Sequence, residues 1–370
     1  MKKLTLSAIK ADVGSIGGHT APSSKMLKAV EEVLAAAKKE KALADYRVWY
    51  TGDDIALFMT HFKGAGAADV HVIAWDALTA ATAVAKDENN YGAGQDLLKD
   101  AFTGNVHGLG PGVAEVELGA VRPGEAFMVL TCDKTEPGAF NLPLYLAFAD
   151  PMNTGGLLLK KEISDGFVFR VMDVNYLKGE RTIELKAPDE LYEIAALLRD
   201  NHRFVIHSIY SRAKEGEVAA VASTSRLHNI AGKYTGKDDP VAIVRVQGIF
   251  VAPEELTQAF TKVHYVGGNT RGSHHLPLMP VAMNTPATTP FCIPMVSALS
   301  FSVNEKGVLS GPIDYFANPV WQFAQARAYE KAQEMRGQGF SGPAMLNYSE
   351  LEYGGIREIM EELDKKFKVK

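Results

Sequence analysis

The chain has 370 residues, 46% hydrophobic and 22% charged, with a formal net charge of −5 at pH 7. That length buries a large core and suggests two domains by size alone, while mixed charge without a basic block argues against nucleic acid as a partner. Two cysteines, Cys132 and Cys292, exclude a disulfide framework or zinc cluster; no apolar run reaches the ~18 residues of a membrane span; and residues 1–7 lack a signal-peptide core, so the expectation is a soluble cytoplasmic protein.

In residues 4–11, Leu4, Leu6 and Ala8 alternate with polar neighbours, which predicts a strand ending at Asp12. The turn Gly14-Ser-Ile-Gly-Gly18 carries His19, which fits either a solvated turn residue or a metal or phosphate contact. Pro22-Ser-Ser24 then opens a helix with Met26, Leu27, Val30, Val33 and Leu34 at helical spacing. Residues 45–50 and 55–60 predict a hairpin broken by Gly52-Asp53-Asp54. Adjacent carboxylates there fit a surface turn, or a metal centre in which one of them bridges two ions. Residues 70–86 predict an alanine-rich helix. Residues 91–102 read as a loop running into a short helix. Gln95 offers a neutral oxygen to a metal, and Tyr91 and the backbone at Gly104-Asn105 suit sugar-phosphate oxygens. Gly108-Leu-Gly-Pro-Gly112 is a rigid turn without the Gly-Lys-Ser/Thr of a Walker loop.

Residues 113–121 and 125–131 are predicted as antiparallel strands joined by Arg122-Pro-Gly124. The second delivers Asp133 and Lys134, a point charge suited to a phosphate, and Cys132 reads as a small core residue. A short helix at 140–149 follows, then strands at 157–161, 166–174 and 181–185, a helix at 190–199, and strands at 204–211 and 218–222. The most loaded stretch is Gly232-Lys-Tyr-Thr-Gly-Lys-Asp-Asp-Pro240, a loop because Gly236 permits positive φ and Pro240 disfavours helix before it. Lys237 suits a Schiff-base amine, Tyr234 its acid/base partner, and Asp238 and Asp239 are hard donors for Mg²⁺; the same residues also fit a charged surface turn. A strand at 241–247 ends at Gln247-Gly248, and residues 253–262 start as helix. Arg271, in the polar loop 268–275, suits bidentate phosphate binding. A strand at 296–303 and amphipathic helices at 319–336 and 356–367 complete the chain. Mixed strands and helices with short turns predict an α+β fold with largely antiparallel sheets.

The set Ile9-Lys-Ala-Asp-Val-Gly14, Gly52-Asp-Asp54, Tyr91-Gly-Ala-Gly-Gln-Asp-Leu-Leu98, Gly104-Asn105, Gly108-Leu-Gly-Pro-Gly112, Asp133-Lys-Thr-Glu-Pro-Gly-Ala139, residues 231–240 and Arg271-Gly-Ser-His274 resembles the archaeal-type bifunctional fructose-1,6-bisphosphate aldolase/phosphatase family. The motifs run in order over nearly the whole chain. The resemblance implies one domain over residues 1–370, folded as a four-layer α-β-β-α sandwich. It implies several Mg²⁺ ions held by Asp12, His19, Asp53, Asp54, Gln95, Asp133, Asp238 and Asp239, with Asp12 also the general base. Lys237 would form an imine with dihydroxyacetone phosphate and Tyr234 would move the proton. Condensation with glyceraldehyde 3-phosphate gives fructose 1,6-bisphosphate, whose 1-phosphate is then hydrolysed to yield fructose 6-phosphate for gluconeogenesis. His19, Tyr91, Gly104, Asn105, Lys134, Gln247, Gly248, Arg271, Cys292 and Tyr353 would bind substrate. The family forms octamers, in which Tyr353 reaches a neighbouring subunit.

Three departures stand against the pattern: Cys292 replaces a substrate-contacting aspartate, Gly354-Gly355 replaces a threonine pair, and His275 replaces a tyrosine. Cys292 keeps open a second reading, a Mg²⁺-dependent sugar-bisphosphate phosphatase that has lost aldolase activity or changed substrate; retention of Lys237, Tyr234 and all eight ligand positions argues against a third, a non-catalytic sugar-phosphate-binding protein. The carboxylates beside Lys237 raise its pKa against its role as a nucleophile, so amine reactivity is expected to depend on bound metal.

Overall fold

A computed structural model describes residues 3–97, 110–174, 181–223, 225–226, 237–268, 275–290, 293–337 and 355–368. One sheet contains β1 (Leu4–Asp12), β2 (Asp45–Thr51), β3 (Asp54–His61), β4 (Gly112–Leu118) and β10 (Ser225–Arg226), in the spatial order β10-β4-β1-β3-β2 and antiparallel throughout. The second runs β14 (Met279–Pro280), β15 (Met295–Val303), β5 (Ala126–Asp133), β11 (Val241–Val246), β9 (Val218–Ala222), β8 (Phe204–Ser211), β6 (Phe167–Asp173) and β7 (Arg181–Ala187), with β16 (Leu309–Asp314) also on β15. Its pairs are antiparallel except β14 with β15. A separate small hairpin joins β12 (Tyr265–Gly267) to β13 (His275–Pro277).

Strand alternation sets the layers. Leu4, Leu6 and Ala8 of β1 and Phe58 of β3 meet Phe127, Val129, Ile243 and Phe301 of the second sheet. Phe58, Phe127 and Phe301 pack with ring centroids 5.1–6.0 Å apart. On the opposite face Ile9, Ala11, Ile55, Leu57 and Met59 pack against α1 (Ser24–Lys39) and α2 (Ala68–Asp87). Helix α1 starts where Ser23 Oγ accepts the Met26 N–H at 3.2 Å and ends with Lys38 and Lys39 in its last turn, both favourable to a helix. The outer face of the second sheet, with Met128, Leu130, Ala242 and Val244, packs on α3 (Asn141–Ala149), α5 (Leu191–Leu198), α6 (Pro253–Gln258) and α7 (Gln322–Gly337) through Phe148, Ile194, Leu256 and Ala324. The result is an α+β sandwich of four layers, α-β-β-α.

Two expectations need correction. Strands β4 and β5 do not pair: β4 lies on β1 and β10, β5 on β11 and β15. The connection from Leu118 to Ala126 is too long for a tight hairpin, and both strands are largely buried, so each finds partners elsewhere. Residues 157–161 are not a strand but overlap the helical turn α4 (Gly156–Leu159). A short leucine run does not distinguish the two periods, and the Gly156 N–H donates to Glu255 Oε1 at 2.7 Å. Residues 91–97 are a bridge and turns, in keeping with the expected loop, and the short helix expected up to residue 102 lies outside the described residues. Strand β16 was not anticipated, because its Leu309-Ser-Gly-Pro-Ile-Asp314 sequence has a proline and little alternation. Among the described residues no helix, including α8 (Gly355–Asp364), is long and apolar enough to cross a membrane.

Candidate metal centre and amine site

The strand phases that fill the gap between the sheets with apolar side chains deliver charge at one end of it. On β1 the inward series Leu4, Leu6, Ala8 continues to Lys10 and Asp12. On β3, Phe58 and Ala56 lead back to Asp54, the cross-strand neighbour of Asp12. On β5, Phe127 and Val129 lead to Thr131 and Asp133, and the chain before β11 places Asp238 and Asp239 beside them. Asp12, Asp53, Asp54, Asp133, Lys134, Lys237 and Asp238 are all buried.

The β2–β3 turn is pressed onto the second sheet. Gly52 has φ +62°, and a Cβ there would overlap the Asp133 carboxylate. The Asp53 N–H donates to Asp133 Oδ2 at 3.3 Å and the Gly52 N–H to Thr285 O at 2.9 Å. Only glycine meets both the left-handed backbone and the close approach. Lys134 and Asp239, neither a glycine, are also held at positive φ, a strain often found at functional sites. The Asp239 N–H donates to Thr135 O at 2.9 Å, and Asp239 Oδ1 accepts the Thr135 N–H at 2.6 Å.

His19 Nδ1 lies 3.2 Å from Asp53 Oδ2 and 3.7 Å from Asp12 Oδ2. Burial opposes its protonation, but hydrogen bonds to Asp12 and Asp53 outweigh this and hold its pKa up at about 9. Tyr91 meets His19 edge to face at 4.8 Å, and a two-way backbone bridge to Ser15 fixes it there, each bond 2.9 Å. Gln95 sits on the same loop between Gly94 and Asp96, whose N–H groups donate to Val13 O and Asp12 O.

Lys237 is buried, with Nζ 2.5 Å from Asp238 Oδ1 and 3.6 Å from Asp96 Oδ2. Burial disfavours the ammonium, yet Asp238 and Asp96 raise its pKa above the lysine value. Asp96 and Lys10 are missing from the sequence-derived site. Asp96 accepts the Asp12 N–H at 2.9 Å and returns its own N–H to Asp12 O at 2.9 Å. Burial raises its pKa to about 7. Lys10 pairs with Asp54, and burial lowers its pKa despite the nearby carboxylates. Two signals were available: Lys10 is on the inward phase of β1, and Asp96 immediately follows Gln95.

Among the described residues seven carboxylates, Asp12, Asp53, Asp54, Asp96, Asp133, Asp238 and Asp239, thus crowd against Lys10, Lys134 and Lys237. Burial raises the pKa of Asp133 to about 6 and of Asp239 to about 7, the mark of a site short of positive charge. Asp133 Oδ1 is buried and accepts no hydrogen bond among the described residues, with the Lys134 ammonium 3.1 Å away. One ligand atom each from Asp12, His19 and Asp53 lie within 4.8 Å of one another, as do those of Asp53, Asp54 and Asp133. Such an oxygen-rich set fits Mg²⁺ better than softer metals, and Asp53 is common to both groups.

The structure therefore brings Asp12, His19, Asp53, Asp54, Tyr91, Gln95, Asp133, Lys134, Lys237, Asp238 and Asp239 to one end of the gap. It does not bring Gln247 and Gly248 there within one chain. They follow the far end of β11, roughly 20 Å away at the usual strand rise. Gly104, Asn105, Tyr234, Arg271, Cys292 and Tyr353 lie outside the described residues.

A family model described as fructose-1,6-bisphosphatase matches residues 3–368. The chain belongs to this fructose-1,6-bisphosphatase family. It is similar to proteins named fructose-1,6-bisphosphate aldolase/phosphatase. That of Thermus thermophilus is 60% identical over 365 residues, 99% of each chain. That of Cenarchaeum symbiosum is 50% identical over 98% of this chain and 94% of its own, and that of Methanothermobacter marburgensis 44% over 99% of both. A fructose-1,6-bisphosphatase fold with a carboxylate cluster at its sheet ends thus also holds a buried lysine beside that cluster.

Proposed function

We propose that this chain is a bifunctional gluconeogenic enzyme, acting as one domain, that makes fructose 1,6-bisphosphate and removes its 1-phosphate at a single Mg²⁺-dependent site. The observation that carries this reading is a buried amine, Lys237, packed against a carboxylate cluster able to hold divalent cations. A phosphatase alone needs no such amine. Bound Mg²⁺ supplies Lewis-acid polarisation of the phosphoryl group and a water of lowered pKa. Asp12, fixed by the Asp96 carboxylate at its N–H and by its own hydrogen bond from the Gly14 N–H at 3.0 Å, takes the proton of the attacking water. Lys134 and His19 bind phosphate oxygens.

In the aldol step Lys237 Nζ adds to the carbonyl carbon of dihydroxyacetone phosphate, and water leaves as the imine forms. Tyr234 takes the proton that converts the imine to the enamine, which attacks glyceraldehyde 3-phosphate; water then hydrolyses the imine of the product, freeing fructose 1,6-bisphosphate and the Lys237 amine. Lys237 rests as an ammonium ion held by Asp238 and Asp96. Engagement of Asp238 as a metal ligand would loosen that hold and let the ammonium pass its proton to the Asp96 carboxylate 3.6 Å away, so imine formation should depend on metal. Borohydride trapping with dihydroxyacetone phosphate, followed by peptide mapping, tests this. The expected adduct is on Lys237 with Mg²⁺ and is strongly reduced with a chelator. No adduct in the folded, Mg²⁺-loaded protein would overturn the aldolase half.

Tyr353 and the Gln247-Gly248 turn act on a neighbouring subunit's substrate in a cytoplasmic octamer. The distance of that turn from its own cluster and the exposed Met152, Leu158 and Leu159 (92%, 72% and 88% exposed) support association. Light scattering tests it, with a monomer as the contrary result.

A further inference from the structure

Beneath the carboxylates lies a closed ring of hydroxyls. Thr51 Oγ1 is 2.8 Å from Thr131 Oγ1 and 2.8 Å from Ser297 Oγ, and Thr131 Oγ1 is 2.7 Å from Ser297 Oγ. The Trp49 indole N–H donates to Thr131 Oγ1 at 3.2 Å. All three hydroxyl residues are fully buried. Each hydroxyl has one proton and can accept two hydrogen bonds. Three bonds among three hydroxyls use every proton inside the ring, and Thr131 spends its second acceptor position on the indole. No hydroxyl proton remains for a carboxylate, so the ring does not act by hydrogen bonding to the cluster above it.

Its members belong to different sheets. Thr51 ends β2 in the first sheet, while Thr131 and Ser297 are register partners on β5 and β15 in the second. Each of the first two stands two residues before a cluster carboxylate, Asp53 and Asp133. The ring therefore bolts the turn that carries Asp53 to the strand that carries Asp133. Above the ring, Gly52 is pressed onto Asp133. The aromatic packing below is non-directional and tolerates small slides between sheets. A hydrogen-bonded ring does not.

We infer that Thr51, Thr131 and Ser297 are positioning residues that set the spacing between the two sheets at which Asp53 and Asp133 can share a divalent cation. This rests on the metal reading above. The three side chains would touch neither metal nor substrate.

The test is Mg²⁺ titration calorimetry together with thermal melts, with and without chelator, on the full chain and its Thr51→Val, Ser297→Ala and Thr51→Ser variants. Shells that support metal ligands typically change affinity about ten- to hundredfold when lost. A weakening of Mg²⁺ binding in that range is expected for Thr51→Val and Ser297→Ala, together with a smaller Mg²⁺-induced rise in Tm. Thr51→Ser, which keeps the hydroxyl, should bind within about threefold of the parent, well below that range. Equal Mg²⁺ affinity in parent and Ser297→Ala, or Tm losses identical with and without metal, would overturn the inference and leave the ring a packing feature. Failure of the parent itself to bind Mg²⁺ would instead remove the metal reading. Should Thr51→Val not fold, Ser297→Ala, which removes a single oxygen, carries the test alone.

Discussion

Lys10 shows how much a single buried charge decides. Its ammonium pairs with Asp54 and feels Asp239 and Asp133. Removing one partner of a buried pair typically costs about 3–5 kcal/mol. Lys10→Met should destabilise the metal-free protein by about that much, while saturating Mg²⁺ restores most of the loss. Denaturant melts in chelator and in Mg²⁺ check this, and an equal loss in both would be the contrary outcome.

A different residue, His61, sets acid sensitivity. Ser7 gives its one proton to Glu115 Oε1 at 2.6 Å, so His61 Nε2 must donate to Ser7 Oγ at 2.8 Å, and Nδ1 accepts the Lys63 N–H at 3.3 Å. The ring is thus neutral, and burial lowers its pKa from 6.5 to about 4. A depressed histidine pKa means that the unfolded chain binds the proton more readily. Its contribution is complete above pH 6.5 and is lost as pH falls towards 4, up to about 3 kcal/mol at about 1.4 kcal/mol per unit. Stability measured from pH 7 to 4 should fall, and His61→Gln should flatten part of that slope. The strand phase of Lys10 and the place of Asp96 beside Gln95 hint at the site, but their roles are set by partners 44 and 141 positions away in the chain, which no local pattern names.

At the scale of elements, the legible features were those that a local pattern specifies. Alternation in residues 4–12, the Ser23 cap and the break at Gly52 each determine their own structure. Pairing was less legible. Nothing near Arg122-Pro-Gly124 reveals that β4 and β5 part to different sheets, since both are buried enough to suit either. The β2–β3 turn gives the sharpest element-level prediction. Gly52→Ala adds a methyl where the Asp133 carboxylate already lies, on a backbone with φ +62°. Left-handed backbone alone costs an alanine roughly 1–2 kcal/mol. The overlap should displace Asp53 or Asp133, so Mg²⁺ affinity should fall at least about tenfold. Calorimetry reads this directly, and unaltered Mg²⁺ binding would contradict the geometry.

For the whole molecule, four layers and one charged gap end follow from the same inward strand phases. A motif reading anticipated the carboxylates, but it did not anticipate that Gln247 and Gly248 stand at the opposite end of β11 from Asp239. Which end of a strand faces a site is a property of the assembled sheets. The cluster draws on positions 12, 53, 133 and 238, contributed by both sheets. Of the two candidate ligand groups, Asp12, His19 and Asp53 stand on the first sheet and its loops, whereas Asp53, Asp54 and Asp133 need both sheets, which has a kinetic consequence. An ion shared by Asp53 and Asp133 finds no formed site until the sheets have closed, late in folding, when its contribution appears mainly as slower unfolding. At one hundred times its Kd it should stabilise the native state by about 2.7 kcal/mol. Stopped-flow refolding should then proceed at nearly the same rate in Mg²⁺ and in chelator, while unfolding slows by close to the full hundredfold. Faster refolding in Mg²⁺ would mean that the two sheets meet around the ion instead of before it.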